Sequence, residues 1–109
     1  MSNRDYLEAL FEIVDALNNK YPSGNTPFQI VARLTEEVGE LAQAVNHYER
    51  TGIKVEKYGP PDRVKLATDV HHVLRAALAV ARYYGIEGEL KHSIDTSHLW
   101  HKSHGYLRE

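Results

Sequence analysis

The sequence predicts an all-α fold, in which a single domain spanning residues 1–109 forms a bundle of four to five helices. Two observations favour this class: apolar residues recur at helical spacing in three long segments, and no alternating strand pattern of useful length occurs. Two stretches with Pro and Gly, residues 21–27 and 51–61, are predicted connections between helices. With 109 residues, of which 42% are hydrophobic, the chain is long enough to build its own core.

Each predicted helix is marked by its apolar spacing or by its ends. The first has an apolar stripe at Leu7, Leu10, Val14 and Leu17, widened by Phe11 and Ile13. The second begins with Thr26 as N-cap and Pro27 at the first helical position. The third begins near Pro61-Asp62 and ends at Gly85, and a fourth is expected over about Glu87–His104, ended by Gly105.

The second and third helices have apolar stripes whose members are three and four residues apart in alternation, a heptad rhythm suited to a partner helix. The stripes are Val31, Leu34, Val38, Leu41, Val45 and Tyr48 on the second helix, and Ala67, Val70, Leu74, Ala77, Ala81 and Tyr84 on the third. Because one helical hairpin would leave much of this surface bare, we expect the bundle to be completed by self-association, as a homodimer or homotetramer.

The composition excludes several classes of protein. The chain has no cysteine, which excludes a disulfide scaffold, thiolate zinc sites and a Cys nucleophile. A formal net charge of −2 argues against a binder of duplex nucleic acid. No apolar run approaches the length that spans a membrane, and the first residues lack an apolar signal core. We therefore expect a cytoplasmic protein with no membrane partner.

The second helix carries a pair of carboxylates on the shoulder of its apolar stripe. At about 100° per residue, Glu37 lies about 70° and Glu40 about 130° from the centre of the stripe, one turn apart, with Glu36 further outward. Like charges at this spacing repel, and a hard divalent cation such as Mg²⁺ would compensate them. A solvated acidic patch, with Arg33 pairing to Glu37 one turn away, is the other interpretation of these residues.

The third helix carries a matching pair, Asp69 and His72, three residues apart on the shoulder of its stripe. If the two helices face each other in an antiparallel pair, Glu37, Glu40, Asp69 and His72 form a site with four ligands. Lys65 precedes Asp69 by four residues; it could contact a phosphate or form an ion pair with Asp69.

These motifs resemble one family. The segment Glu36-Glu37-Val38-Gly39-Glu40-Leu41 is similar to the E-E-x-x-E motif of the MazG-like all-α nucleoside triphosphate pyrophosphohydrolases. The segment running from Leu66 to Leu74 occupies the place of the family's second motif, E-x-x-D. The resemblance covers roughly residues 26–109, with residues 1–20 as a leading helix.

The resemblance implies a Mg²⁺-dependent enzyme that splits a nucleoside triphosphate between its α and β phosphates, giving the monophosphate and pyrophosphate. It implies that Glu37, Glu40, Asp69 and His72 bind the metal. It also implies that Glu36 lies beside them, positioning the attacking water or a second cation. Such chemistry needs a cation to neutralise phosphate charge and an oriented water, and no covalent nucleophile.

The second motif departs from the family pattern, because Asp69 and His72 stand where the family has Glu and Asp. The site loses about one negative charge and gains a nitrogen ligand, which favours Mn²⁺ or another transition metal. Three alternatives to an active hydrolase follow. They are a nucleotide-binding protein without turnover, a helical interaction protein whose acidic shoulder is solvated, and a carboxylate–histidine metal protein that binds iron or manganese.

The remaining histidines give weaker evidence of a metal site than Glu37, Glu40, Asp69 and His72 do. His71 lies about 100° from His72, so one helix cannot direct both at one ion. His98, His101 and His104 are spaced by three and would line one side of a helix, as a transition-metal site or as a titrating surface stripe.

Overall fold

The computed structural model describes residues 4–49, 59 and 62–107, and within them every regular element is an α-helix. In chain order these are α1 (Tyr6–Lys20), α2 (Pro27–Tyr48), α3 (Arg63–Tyr84) and α4 (Glu87–Ser103). The prediction of an all-α fold is therefore confirmed. The second predicted connection, with Lys54 and Lys57, lies outside the described residues apart from Gly59.

The helix ends form where the sequence provides capping groups. Thr26 and Gln29 make a reciprocal capping box at the start of α2, with Gln29 N–H donating to Thr26 Oγ1 and Thr26 N–H donating to Gln29 Oε1. Gly85 ends α3 with a φ of +64°, and Ile86 N–H donates to Ala81 O over 3.0 Å. This left-handed turn favours glycine, and it redirects the chain into α4.

Helices α2 and α3 pack against each other as an antiparallel hairpin. The direction follows from the contacts: Glu37 approaches His72 and Arg75, whereas the charge of Glu40, further along α2, acts on Lys65, earlier in α3. After Pro27, the buried and partly buried side chains of α2 recur every three or four residues. They are Ile30, Leu34, Glu37, Leu41, Ala44 and His47. A glutamate therefore occupies the middle of a row that is otherwise largely apolar.

The centre of the buried face differs from the predicted one. Val31, Val38 and Val45 of the predicted stripe stay about half exposed, with Val38 at 48%, and Leu74 of α3 is 51% exposed. The reason is that α2 presents the neighbouring row, which contains Glu37, to α3. Exposed members of the two stripes, including Val31, Val38 and Val45 of α2 and Val70 and Leu74 of α3, thus present apolar side chains to solvent in a single copy of the chain, whereas Leu34, Leu41 and Ala81 are turned inward.

Helix α1 packs against the C-terminal half of α3. Phe11 and Val14 of α1 form a buried cluster with Leu78 and Ala81 of α3, and Leu90 of α4 packs against it. At its edge, Arg82 donates to both carboxylate oxygens of Asp15 and to Glu87, and its guanidinium lies 4.8 Å from the centre of the Phe11 ring. These contacts fix the first turn of α4, while no residue of α4 is fully buried.

Candidate functional site

Glu37 lies in the interface between α2 and α3, where its side chain is only 19% exposed. Its Oε1 is 3.6 Å from Arg75 Nη2, and its Oε2 is 3.5 Å from His72 Nδ1. The distance to Arg75 suits charge attraction, and neither contact is a hydrogen bond. Oε2 is buried and has no hydrogen-bond partner among the described residues. A buried carboxylate oxygen in this condition is costly and attracts a cation or a proton donor.

Asp69 is the one polar residue among those described that is fully buried, at 4% exposure. Lys65, one turn earlier on α3, neutralises it by donating from Nζ to Asp69 Oδ2 over 2.8 Å. This hydrogen bond raises the pKa of Lys65, and the charges of Asp69, Glu40 and Asp62 raise it further. The ion pair proposed from the spacing of Lys65 and Asp69 is thus present.

Glu36 and Glu40 are exposed on α2, and neither makes an ion pair or hydrogen bond within the described part of the chain. Glu40 is close enough to Lys65 for its charge to act there. The hairpin therefore brings Glu37 close to His72, whereas Glu40 makes no hydrogen bond or ion pair with Asp69 or His72. Among the described residues, no group of three or more His, Asp and Glu side chains is arranged to hold a metal ion.

The four predicted ligands nevertheless fit a divalent cation in chemical type. Three carboxylates and an imidazole are the donors that Mg²⁺ and Mn²⁺ accept, and one of these donors, Glu37 Oε2, is buried without a hydrogen bond. In the present arrangement two of the carboxylates already face cationic side chains of the protein, since Lys65 hydrogen-bonds to Asp69 and Arg75 lies 3.6 Å from Glu37. Binding of a metal would require the Lys65 ammonium to release Asp69 and the side chain of Glu40 to turn inward.

Arg75 is the residue of this site that the sequence analysis missed. It follows Asp69 and His72 at steps of three along α3, so the same spacing argument could have found it. The partner proposed for Glu37 from the sequence, Arg33, is wrong. Arg33 instead donates to Gly24 O and Asn25 Oδ1 in the loop between α1 and α2, over 2.7 and 2.9 Å.

The histidines of α4 do not come together at one ion. His101 Nδ1 lies 2.7 Å from Ser97 O, and His104 Nδ1 lies 2.8 Å from Trp100 O, so each of these rings hydrogen-bonds to the preceding turn of its own helix. The His104 ring also stacks on Trp100 with 4.1 Å between the ring centres. These contacts favour the interpretation that the histidines form a surface stripe over the interpretation that they form a transition-metal site.

Comparison with protein-family models, curated proteins and solved structures gives no match for this chain. Within the residues that the structure describes, none of the helices combines the length and the apolar character needed to cross a membrane.

Proposed function

We propose that this protein is a nucleoside triphosphate pyrophosphohydrolase that requires a divalent cation, Mg²⁺ or Mn²⁺. The observation that carries the proposal is the buried Glu37 carboxylate, which has one oxygen without a hydrogen bond and faces His72 across the hairpin. A charged group at the centre of an apolar interface destabilises the fold unless it is paired. Its presence there, beside a second buried carboxylate at Asp69, favours a catalytic purpose over a structural one.

In this proposal Glu37, Glu40, Asp69 and His72 hold the cation, which would neutralise phosphate charge and orient a water when bound. Water oxygen forms a bond to the α-phosphorus while the bond from that phosphorus to the bridging oxygen breaks. Pyrophosphate leaves with the electron pair, and the exposed carboxylate of Glu36 accepts the proton of the water. Lys65, whose ammonium lies at the surface, changes partner from Asp69 to a phosphate oxygen.

The proposal includes self-association, because Val31, Val38 and Val45 are exposed at steps of seven along α2, and Val70 and Leu74 are exposed on α3. A second copy that packed its own stripes against them would remove this surface from water. It would also further exclude water from the interface that contains Glu37, which would strengthen the electrostatic interactions there.

A second candidate is a helical interaction protein without catalytic activity. The specific observation in its favour is that cationic side chains already compensate the buried carboxylates, Lys65 for Asp69 and Arg75 for Glu37. In that case no cation is needed for the hairpin to form. The two candidates differ in metal binding, which isothermal titration with Mg²⁺ and Mn²⁺ measures directly.

The experiment that tests the proposed function is a panel of nucleoside triphosphates assayed for release of pyrophosphate with either metal. We expect Glu37→Gln and Glu40→Gln each to lower turnover by at least about 100-fold, the upper end of the losses seen for neighbours of metal ligands. The matched control is Glu12→Gln, at an exposed position of α1, which should retain full turnover. Turnover that survives both site variants would refute the proposed site.

A further inference from the structure

A cavity of about 280 Å³ lies beside the candidate site, enclosed by α1, the loop after it, α2 and α3. Its size is near the lower end of the range for small-molecule sites. Val14 and Leu17 of α1, Ile30 of α2 and Ala76 of α3 provide apolar walls. These walls suit a flat, weakly polar ring better than a highly charged group.

The charged groups that line this cavity are Arg33 and Arg75, and no carboxylate lines it among the described residues. Arg33 is fixed in place by its hydrogen bonds to Gly24 O and Asn25 Oδ1. A guanidinium group donates hydrogen bonds and cannot accept them. The part of a ligand that faces these arginines must therefore present acceptor atoms, such as carbonyl oxygens.

Arg75 connects the cavity with the candidate active site, because its Nη2 lies 3.6 Å from Glu37 Oε1. A molecule that occupied the cavity would hold one end next to the residues proposed to bind metal and phosphate. From this juxtaposition we infer that the cavity binds the base of the nucleotide and selects bases with a carbonyl oxygen at the edge facing the arginines. This inference rests on the proposed function, which it extends from the phosphates to the base.

The selection follows from matching donors and acceptors. Where a base has a carbonyl oxygen at the edge that faces the arginines, Arg33 or Arg75 can donate to it. Where an amino group stands at the same position, as in cytosine and adenine, a donor meets a donor. Loss of a hydrogen bond to a charged group, together with this mismatch, corresponds to about tenfold or more in affinity. The class of ligand is therefore the uracil-like or hypoxanthine-like nucleotide, in preference to its cytosine-like or adenine-like counterpart.

Calorimetry without metal tests this, using two pairs of nucleoside monophosphates: uridine with cytidine, and inosine with adenosine. Within each pair, a carbonyl group beside a ring N–H is replaced by an amino group beside an unprotonated ring nitrogen. We expect the carbonyl member of each pair to bind at least about tenfold more tightly. Arg75→Gln should bring the ratio close to one, since an amide both donates and accepts. Arg63→Gln removes the same charge from an exposed position of α3 outside the cavity and should leave the ratio unchanged.

A second variant blocks the cavity from an exposed position. Asn18 lines the cavity but is itself exposed, so Asn18→Phe should retain the fold, as checked by its melting temperature, and abolish binding of all four monophosphates. Equal affinities within both pairs, tighter binding of the amino members, no binding at millimolar concentration, or binding unaffected by Asn18→Phe would each overturn the inference. Pyrophosphate release from triphosphates is measured separately. Base selectivity without turnover would therefore count against the proposed function alone.

Discussion

His72 Nδ1 lies 3.5 Å from Glu37 Oε2, across the interface that joins α2 to α3. The contact brings together one member of each motif that the sequence analysis identified on separate helices. It also places a nitrogen donor next to a buried carboxylate oxygen that has no hydrogen bond among the described residues. If the proposed cation binds here, this pair determines which metal the site prefers and which substitutions would alter that preference.

If the proposed hydrolase is active, His72→Asp should shift its metal preference from Mn²⁺ towards Mg²⁺. The substitution replaces a nitrogen ligand with a hard anionic oxygen, which Mg²⁺ favours. We expect turnover with Mg²⁺ to be maintained or raised, as measured by the ratio of pyrophosphate release with the two metals. His71→Asp, at the exposed neighbouring position, is the matched control and should leave that ratio unchanged. A preference for Mn²⁺ that persists in His72→Asp would contradict the role of His72 as a ligand.

Lys65→Met should raise the affinity for a divalent cation while lowering the stability of the metal-free protein. Lys65 neutralises the buried Asp69 carboxylate over 2.8 Å, so it competes with any cation for that group. We expect tighter metal binding by about tenfold in calorimetry, together with a larger rise in melting temperature when Mg²⁺ or Mn²⁺ is added. Arg63→Met removes a positive charge two residues earlier and controls for net charge. Unchanged metal affinity in Lys65→Met would show that Asp69 is not a ligand.

Val38→Glu combined with Leu74→Glu should weaken self-association without unfolding the chain. Both residues are about half exposed on the outer side of the hairpin, so a charge there is hydrated in one copy but buried in a complex. Sedimentation velocity should show a shift to the monomer, with an unchanged helical signal in circular dichroism. Leu99→Glu, on the exposed part of α4, should not alter the distribution. A protein that is monomeric before any substitution would disprove the proposed assembly.

Glu87 should make the stability of the protein depend on pH in the acid range. Its pKa is lowered by the backbone N–H at the start of α4 and by the hydrogen bond from Arg82. A carboxyl group whose pKa is lower in the folded state stabilises the fold above its unfolded pKa of about 4.3, and this contribution is lost as the pH falls through the folded value. The melting temperature of Glu87→Gln should therefore lie below that of the original protein at neutral pH.

The same difference in melting temperature should shrink as the pH falls below about 4.3. Glu89→Gln, in the same first turn but without an ion pair within the described residues, is the control and should show a smaller difference at neutral pH. If the difference in melting temperature between Glu87→Gln and the original protein grew on acidification instead, the pKa of Glu87 would not be lowered by folding.

The helices and their ends could be predicted because their signals are local. Thr26 and Pro27 mark the start of α2, and Gly85 marks the end of α3, whatever the rest of the chain does. The face that each helix buries depends on the partner, which the sequence pattern does not specify. Val38 is a member of the predicted apolar stripe, but it is 48% exposed because α3 packs against the row that contains Glu37.

The candidate site could be predicted in part, because the spacing of residues within one helix is also a local signal. The matched spacing of Glu37 and Glu40 with Asp69 and His72 identified the two faces that meet. The spacing could not show that Lys65 would be bound to Asp69 rather than free for a phosphate. Spacing along α3 places Arg75 on the same face as Asp69 and His72, but it could not show that Arg75 faces Glu37, since ion pairs between helices depend on their register.

The bond from Lys65 to Asp69 has a consequence for how the protein reaches its native state. A newly synthesised chain carries its own counter-ion for the carboxylate that it must bury, so the hairpin can assemble before any divalent cation is available. If the proposed divalent cation binds, it does so after folding, by displacing an internal ammonium from a hairpin that is already assembled.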